Sequence, residues 1–404
     1  MTKMEWGKLG MRQSIFVVIS LVLLSATGCK NFFPPLDSTG TTTGTTTPTN
    51  TGDFAYVASV NTASSTNPIY TLSGFTVGTG TLTALSGFPL TLPFAPSTAV
   101  VAPSNALLYV CGSEVLYGYT ISSTGALTSI LNSNQQQALI NANIIQMVVS
   151  PDGQWLLALD NTPNGNVVTI DEYAISSSGQ LTATTGVQYA LTGTVGTLVP
   201  SGIAVAPDGD FVAVSLGTGG DVLFGFTTST GVLAEVAQEI PPTTSSADQA
   251  VTFDSTSSIL FVARSGTDAG VVPYTITNSG GTLTAATGAP FALGNGPASI
   301  TIDKTGKYLY VGNKVDSTIS GFAIGTGGVL TALAGSPYAS GSGVNALAYD
   351  NSGDYILATA VNGSPDVDMY SFDATNAGAL DASTTASTGD PTEPAGAVAI
   401  AMTH

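Results

Sequence analysis

The sequence predicts an all-β chain that folds as a seven-bladed β-propeller of four-stranded antiparallel blades. Three observations support this prediction. A hairpin turn recurs roughly every 50 residues, each repeat contains four β-like runs, and the two ends of the chain together supply one further repeat. We expect the propeller to span residues 53–404.

The clearest repeat is residues 296–339, GPASITIDKTGKYLYVGNKVDSTISGFAIGTGGVLTALAGSPYA. Its β-like runs are short, rich in β-branched and aromatic residues, and separated by turns that contain Asp and Gly. The four predicted strands are Ser299 to Ile302, Tyr308 to Val311, Ile319 to Ile324 and Val329 to Leu333. Strands joined in this way form an antiparallel meander.

The turn that follows the first strand of each repeat defines the period. It begins at Ala102, Ser150, Ala206, Asp254, Asp303 and Asp350, and successive positions are 47 to 56 residues apart. Tandem β-sandwiches would need repeats of roughly 100 residues, and the coils of a β-helix are much shorter. A single meander can bury its apolar faces only against neighbouring copies, so the repeats are expected to pack side by side.

The ends of the chain complete the seventh repeat. Residues 394–401 have the pattern of a first strand, whereas Phe54 to Val60, Tyr70 to Val77 and Thr81 to Leu85 have the pattern of the second, third and fourth strands. Pairing between these runs would close the ring. We therefore expect the N- and C-terminal strands to share one blade.

Residues 1–29 are similar to a bacterial lipoprotein signal peptide. Three basic residues precede an apolar run from Ile15 to Leu24, and the small residues that follow end at Cys29. The similarity implies cleavage before Cys29 and acylation of that cysteine. The alternative is an ordinary cleaved signal with an incidental cysteine. Met11 is an alternative to Met1 as the start of the chain.

Residues 30–52 form a Thr-rich segment that is expected to be a flexible linker, because it is too polar to bury a core. Lipid on Cys29 would make the membrane a partner of the chain, and Lys30 directly after it favours the outer membrane or the cell surface. With Cys29 acylated, Cys111 has no disulfide partner and is expected to be a small buried hydrophobe.

Composition narrows the classes of partner. The chain has 8 Lys and Arg against 26 Asp and Glu, a formal net charge of −18, which would repel a phosphate backbone and excludes nucleic-acid binding. No Cys/His metal spacing and no phosphate-binding loop is present, so neither a metal nor a cofactor is expected. We expect a monomer that binds a small molecule, a saccharide or a protein.

In a propeller, the loops that enter the first strand of each blade surround one mouth of the central channel. Here those loops are mostly small, neutral and polar, and the candidate ligand-binding residues in them are Asp248, Gln249, Asn345 and Glu393. Arg264, at the end of a second strand, is a further candidate that could hold an anionic ligand. The alternative is that these polar groups only cap strand ends and bind water.

Few residues suit acid–base or metal chemistry. The sole histidine is His404, the terminal residue, where disorder is expected. Asp366 and Asp368 share an acidic loop and could offer oxygen ligands to calcium, although the sequence contains no twelve-residue calcium loop. The sequence therefore leaves the catalytic residues unidentified.

The repeats resemble those of a known family. The segments ISGFAIGTGGVLTALAGSPYASG, LYGYTISSTGALTSI and LFGFTTSTGVLAEV are similar to the seven-bladed lactonase propellers, which include 6-phosphogluconolactonase-like proteins. The resemblance covers Asp53 to His404 and implies a propeller that hydrolyses a lactone with His, Arg and Glu side chains near the channel. After the signal peptide, this chain has one Arg, Arg264, and one His, His404.

Two hypotheses follow. The preferred one is a lipid-anchored, non-catalytic envelope propeller that binds a saccharide or protein or acts as a scaffold. The alternative is an extracytoplasmic lactonase that acts on a sugar lactone, with an acid such as Asp248 or Glu393 activating water. A carboxylate and Arg264 that meet in a pocket at the channel mouth would favour the enzyme, whereas dispersed residues would favour binding.

Overall fold

The computed structural model describes residues 52–61, 68–112, 114–130, 137–138, 142–162, 167–184, 186–190, 197–236, 245–277, 282–389 and 396–404. The predicted signal peptide, the acylation site at Cys29 and the linker up to residue 51 lie outside them. Within the described residues, no helix is both long and apolar enough to cross a bilayer.

The described strands form seven antiparallel sheets. The first four strands along the chain are β1 (Phe54–Asn61), β2 (Ile69–Gly78), β3 (Thr81–Ala84) and β4 (Leu90–Leu92). Blade 1 contains β5 (Pro96–Val101), β6 (Leu107–Gly112), β7 (Val115–Ile121), β8 (Leu127–Ser129) and β9 (Gln137–Ala138). Blade 2 contains β10 (Ile144–Val149), β11 (Trp155–Asp160), β12 (Val167–Ile175), β13 (Leu181–Ala183) and β14 (Val187–Ala190).

The remaining blades have the same construction. Blade 3 contains β15 (Gly202–Val205), β16 (Phe211–Ser215), β17 (Asp221–Thr227) and β18 (Val232–Glu235), and blade 4 contains β19 (Ser246–Phe253), β20 (Ile259–Gly266), β21 (Gly270–Thr277) and β22 (Thr282–Ala285). Blade 5 contains β23 (Pro297–Ile302), β24 (Tyr308–Asn313), β25 (Thr318–Ile324), β26 (Leu330–Ala332) and β27 (Tyr338–Ala339), with a short 3-10 turn at Thr326–Gly328. Blade 6 contains β28 (Val344–Tyr349), β29 (Tyr355–Ala360), β30 (Val367–Phe372) and β31 (Leu380–Ala386), and the last strand is β32 (Gly396–Met402).

Blade 7 is built from both ends of the chain, and its strand order is β3-β2-β1-β32. The strands β1 and β32 pair antiparallel from Ala55 opposite Met402 to Val60 opposite Gly396. Beside them, Thr403 Oγ1 accepts a hydrogen bond from Phe54 N at 2.8 Å. The structure therefore confirms the seven-bladed propeller and the shared closing blade.

Within the described residues, four blades carry a fifth strand that the sequence pattern did not predict. The accessory strands β4, β9, β14 and β27 each pair with the third strand of their blade. In blade 7 the long strand β2 pairs with β3 through Phe75–Gly78 and with β4 through Tyr70–Leu72. The third strand is longer than the fourth, and the accessory strand pairs with the backbone groups that the fourth strand leaves open.

Apolar clusters fill the spaces between neighbouring blades. Leu157 of blade 2 packs in one cluster with Val214 and Phe224 of blade 3. The closing blade is joined in the same way, because Val57 of β1 packs with Met369 of blade 6. Each side chain of this size contributes roughly 1.5–3 kcal/mol when it is removed from water. The core of this protein is therefore a ring of inter-blade layers.

Cys111 is fully buried, as expected from the sequence. Burial, with a smaller contribution from the negative charge of Asp171, raises the pKa of its thiol to about 12. The thiol is therefore protonated near neutral pH and behaves as part of the apolar layer.

In several blades an aromatic side chain donates a hydrogen bond to a backbone carbonyl of the next blade. We name these contacts the aromatic braces. A brace runs from the second strand of one blade to the turn before the fourth strand of the following blade. Tyr56 Oη donates to Gly125 O at 2.8 Å, Tyr109 Oη donates to Gly179 O at 2.8 Å, Tyr310 Oη donates to Gly378 O at 2.6 Å, and Trp155 Nε1 donates to Thr228 O at 2.6 Å.

The turns that receive the braces contain glycines with positive φ. Gly231 has a φ of +76°, and a Cβ atom there would lie 2.5 Å from the Trp155 ring. Gly125 has a φ of +79°, and its Cβ would lie 2.7 Å from the Phe54 ring. Glycine is therefore required at these turns both by the left-handed backbone and by the close approach of the preceding blade.

Replacing Gly231 with alanine should destabilise the propeller more than the backbone conformation alone explains. Left-handed backbone costs an alanine about 1–2 kcal/mol, and overlap with Trp155 should add about 1–3 kcal/mol. The matched control is Gly153→Ala, because Gly153 has a φ of +71° with no atom within 4 Å of its Cβ position. Urea unfolding of both variants measures the difference, and equal losses would show that Trp155 moves aside without cost.

Candidate functional site in the central channel

The first strands of the seven blades surround a central cavity of about 300 Å³. The polar side chains of the residues that line it are all neutral, and they come from blades 1, 2, 3, 5 and 6: Ser97, Thr98, Gln146, Ser201, Ser299 and Asn345. Among the described residues, no Asp, Glu, Lys, Arg or His lines this cavity. Each first strand is the edge strand of its sheet, and its unpaired edge faces the channel. Backbone N–H and C=O groups therefore add donors and acceptors to the wall.

The first strands of six blades, blades 1, 2, 4, 5, 6 and 7, each contain a β-bulge. In each strand the bulge lies at the equivalent position, close to the residue at which the strand begins. The extra residues are Ser97, Ile145, Gln249, Ala298, Asn345 and Val398. All but Gln249 line the cavity. A bulge bends its strand and redirects a side chain, so this repeated bulge sets which residues face the channel.

Several channel side chains bind the neighbouring blade. Ser97 Oγ donates to Ile144 O at 2.6 Å, and Ser201 Oγ donates to Asp248 O at 2.8 Å. Gln146 Oε1 accepts from Ile203 N at 2.9 Å. These hydrogen bonds fix the positions of the side chains before any ligand enters. Ser97, Gln146 and Ser201 therefore join the first strand of one blade to that of the next.

Ser299 differs from the other channel residues. Its Oγ is buried and has no hydrogen-bond partner among the described residues, although Ser299 itself lines the cavity. A buried hydroxyl without a partner is destabilising. The Oγ lies beside Gly312 of β24 and is enclosed there, so the side chain has to rotate about χ1 before a ligand in the channel can complete its hydrogen bonding.

The sequence candidates divide into three groups. Asn345 lines the channel, and its Nδ2 donates to Val398 O at 2.7 Å. Gln249 lies outside the lining, and its Nε2 donates to Ser265 Oγ at 3.3 Å. Glu393 lies outside the described residues. The candidates missed Ser97, Ser201 and Ser299, although their shared position at the start of the repeats was a usable signal.

Asp248 and Arg264 come together, but not in the cavity. Arg264 Nε lies 2.5 Å from Asp248 Oδ1, and Nη2 lies 3.0 Å from Oδ2. Asp248 is fully buried and Arg264 is 8% exposed. Removing one partner of a buried pair costs about 3–5 kcal/mol. Loss of either partner of this two-bond ion pair would therefore destabilise blade 4, and loss of activity in an Arg264→Ala variant would not by itself indicate catalysis.

A second buried carboxyl group faces this ion pair. Asp221, at the start of β17 in blade 3, is fully buried, and neither of its Oδ atoms has an N–H or O–H donor among the described residues. Burial, followed by the charge of Asp248, raises the pKa of Asp221 well above its usual value, and Arg264 opposes the shift. When Asp221 is protonated, it can donate a hydrogen bond to Asp248. Only one of the two carboxyl groups is then charged, and the single Arg264 guanidinium neutralises it.

The remaining candidates are engaged in structural contacts. Asp366 Oδ1 accepts from Thr388 N at 2.9 Å, and Asp368 Oδ2 accepts from Gly341 N at 2.6 Å. Within the described residues, no group of three or more His, Cys, Asp or Glu side chains is arranged to hold a metal ion.

The expectation that His404 is disordered was wrong. Its backbone N donates to Asn105 Oδ1 at 2.9 Å, and its carbonyl accepts from Asn105 Nδ2 at 2.6 Å. The ring also packs edge-on against Tyr349. The side chain of Asn105 therefore holds the last residue as a β-strand partner would.

Asp221→Asn should make the protein more stable than the wild type at high pH. A carboxyl group with a raised folded-state pKa contributes most below its unfolded pKa, and that contribution is lost as pH rises towards the folded value. Asparagine stays neutral and can still donate to Asp248. Urea unfolding at about pH 5 and about pH 8 measures the effect. The free energy of unfolding should fall less between these two pH values for the variant than for the wild type. Asp381→Asn, at an exposed position in β31, is the control, and parallel pH curves for all three proteins would contradict the assignment.

Comparison with known proteins agrees with the fold. A model of the family described as "Lactonase, 7-bladed beta-propeller" matches residues 54–395. No curated protein sequence matches the chain.

Solved structures share the architecture at low sequence identity. A protein from Bacteroides uniformis, provisionally assigned as a 6-phosphogluconolactonase, is 19% identical with a TM-score of 0.68, covering 87% of this chain and 99% of that one. A Pseudomonas aeruginosa periplasmic gluconolactonase is 16% identical with a TM-score of 0.61, covering 86% of this chain and 99% of that one. At such identities the likeness shows the fold alone. The match to the family model, which extends across nearly the whole ring, shows that the chain belongs to the seven-bladed β-propeller lactonase family.

Proposed function

We propose that this propeller binds a small hydroxyl-rich molecule, such as a sugar or a sugar lactone, in its central channel. The observation that carries the proposal is the neutral polar wall, in which hydroxyl and amide side chains surround a cavity of about 300 Å³. This volume is at the lower end of the range for small-molecule sites, which begins near 300 Å³. Hydroxyl groups both donate and accept, so they match serine, amide and backbone groups together.

The same wall favours binding over hydrolysis. Attack by water on a lactone carbonyl needs a general base within reach of that water. Asp248 is buried and paired with Arg264, and the lining among the described residues offers no ionisable side chain. Ser299 has a free hydroxyl but no basic partner beside it in the described structure, and a serine without a base is a weak nucleophile.

Lactone hydrolysis is the second candidate function. It is supported by membership of the lactonase family and by the structural likeness to the P. aeruginosa periplasmic gluconolactonase. Because Asp248 is engaged in the ion pair, this candidate assigns the general base to Glu393, the other acid that the sequence places at the channel mouth.

We propose in addition that the protein acts outside the cytoplasm as a lipoprotein anchored through Cys29. The support is the order of residues 1–29, with a basic start, an apolar run and a cysteine after small residues. The polar segment after Cys29 would then separate the propeller from the membrane.

Ser299→Ala should weaken the binding of a sugar in the channel. Loss of one hydrogen bond of about 0.5–1.5 kcal/mol corresponds to roughly two- to tenfold in affinity. Calorimetric titration of the full chain with D-glucitol measures the change. Ser129→Ala is the matched control, because Ser129 Oγ is also buried without a partner in the described structure but lies on the outer strand β8.

The two candidate functions give different results in a lactone assay. Hydrolysis of D-glucono-1,5-lactone above the spontaneous rate, abolished in Glu393→Gln, would overturn the non-catalytic proposal and support the enzyme. A rate equal to background, together with saturable glucitol binding that Ser299→Ala weakens, would support the binding function.

Cys29→Ser should release the protein from the membrane fraction, because acylation requires the thiol. Fractionation of cells that express the wild type and the variant, followed by immunoblotting, measures the distribution. Cys111→Ser serves as the control for loss of a cysteine elsewhere. Unchanged membrane association of the Cys29 variant would contradict the lipid anchor.

A further inference from the structure

The cations of the described residues lie in three different environments. Arg264 is paired with Asp248 inside the protein. Lys304 and Lys307 belong to the hairpin between β23 and β24, and Lys304 Nζ donates to Asn351 O. Lys314 follows β24 at the other end of the strand, where Asn313 pairs with Pro297 at the entrance to β23. Lys314 is therefore the one cation of the described structure that lies on the mouth side without an ion pair.

Contacts at both ends hold Lys314 beside the channel. Its backbone N donates to Gly296 O at 2.7 Å. Its side chain crosses to blade 6, where Nζ donates to Asn345 Oδ1 at 2.8 Å. Asn345 is the bulge residue of β28, lines the cavity, and is itself held by the hydrogen bond to Val398 O. The ammonium group is thus fixed to a residue of the channel wall.

This ammonium group retains capacity for a ligand. A lysine has three N–H donors, and the contact with Asn345 occupies one of them. The nearest acid along the chain, Asp316, accepts from Asn295 N at 2.7 Å and from Asn295 Nδ2 at 3.0 Å, and it forms no ion pair with Lys314. In a chain with a net charge of −18, one unneutralised cation at the mouth marks where a negative group would be accepted.

We propose that Lys314, positioned by Asn345, binds the carboxylate of a ligand whose hydroxyl-bearing body occupies the channel, so that the site selects sugar acids over neutral polyols. This inference rests on the proposed function, because it assigns the anionic end of a ligand of that same cavity. A carboxylate suits the site better than a phosphate, since a phosphate dianion is usually held by several donors or by arginine. The lysine is a specificity residue and needs no part in bond cleavage.

The test compares two probes with the same six-carbon skeleton, D-gluconate and D-glucitol, which differ in a carboxylate against a hydroxymethyl group. Calorimetric titration of the full chain should give an affinity for gluconate about fivefold higher than for glucitol, the size expected for a partly exposed ion pair. Lys314→Gln should abolish this preference, so that the variant binds gluconate and glucitol with equal affinity. Raising NaCl from 20 to 300 mM should weaken gluconate binding to the wild type but not to the variant.

Lys307→Gln is the matched control, because Lys307 is an exposed lysine of the same blade at the opposite end of its strands. It should keep the wild-type preference for gluconate. Glucitol binding with no preference for gluconate, or a preference that survives Lys314→Gln, would overturn this inference and leave the proposed function in place. Binding of neither probe would overturn both.

Discussion

The stability of every blade depends on apolar contact with the blades on either side of it. A four-stranded sheet has two faces, and in this chain both faces carry apolar side chains, such as Leu156 of β11 on one face of blade 2 and Leu157 on the other. No blade can therefore be stable in isolation, and only a closed ring supplies each one with two neighbours. The glycines of the brace turns follow from the same constraint, because the blades approach too closely there for a side chain.

The same contact between blades shapes the channel. The first strands are drawn together around the axis, and the repeated bulge turns residues such as Asn345 and Ser97 towards it. Hydrogen bonds from Ser97 and Ser201 to the next blade then tie the wall together. The serine side chains in these bonds are neutral, so they tie the wall together without charges that a neutral ligand would have to displace.

The blades could be predicted from the sequence because their turns depend on local chemistry. Asp303 Oδ1 accepts from Tyr308 N at 2.7 Å, and Asp350 Oδ1 accepts from Tyr355 N at 2.8 Å, so the aspartates mark the same hairpin in different blades. The accessory strands depend on the relative lengths of neighbouring strands, which a turn pattern does not contain. The environment of Asp221 was equally hidden, because Asp248 reaches it from another blade.

Closure of the ring by β32 affects the order in which the chain can become a propeller. The strand β1 is synthesised before all the other described strands, yet its partner β32 follows more than 300 residues later. Until β32 arrives, one edge of β1 is open and available to other strands, which is the condition that leads to misassembly. A protein built in this way is expected to need protection of its early strands until the final segment has docked, and to resist unfolding once that segment is in place.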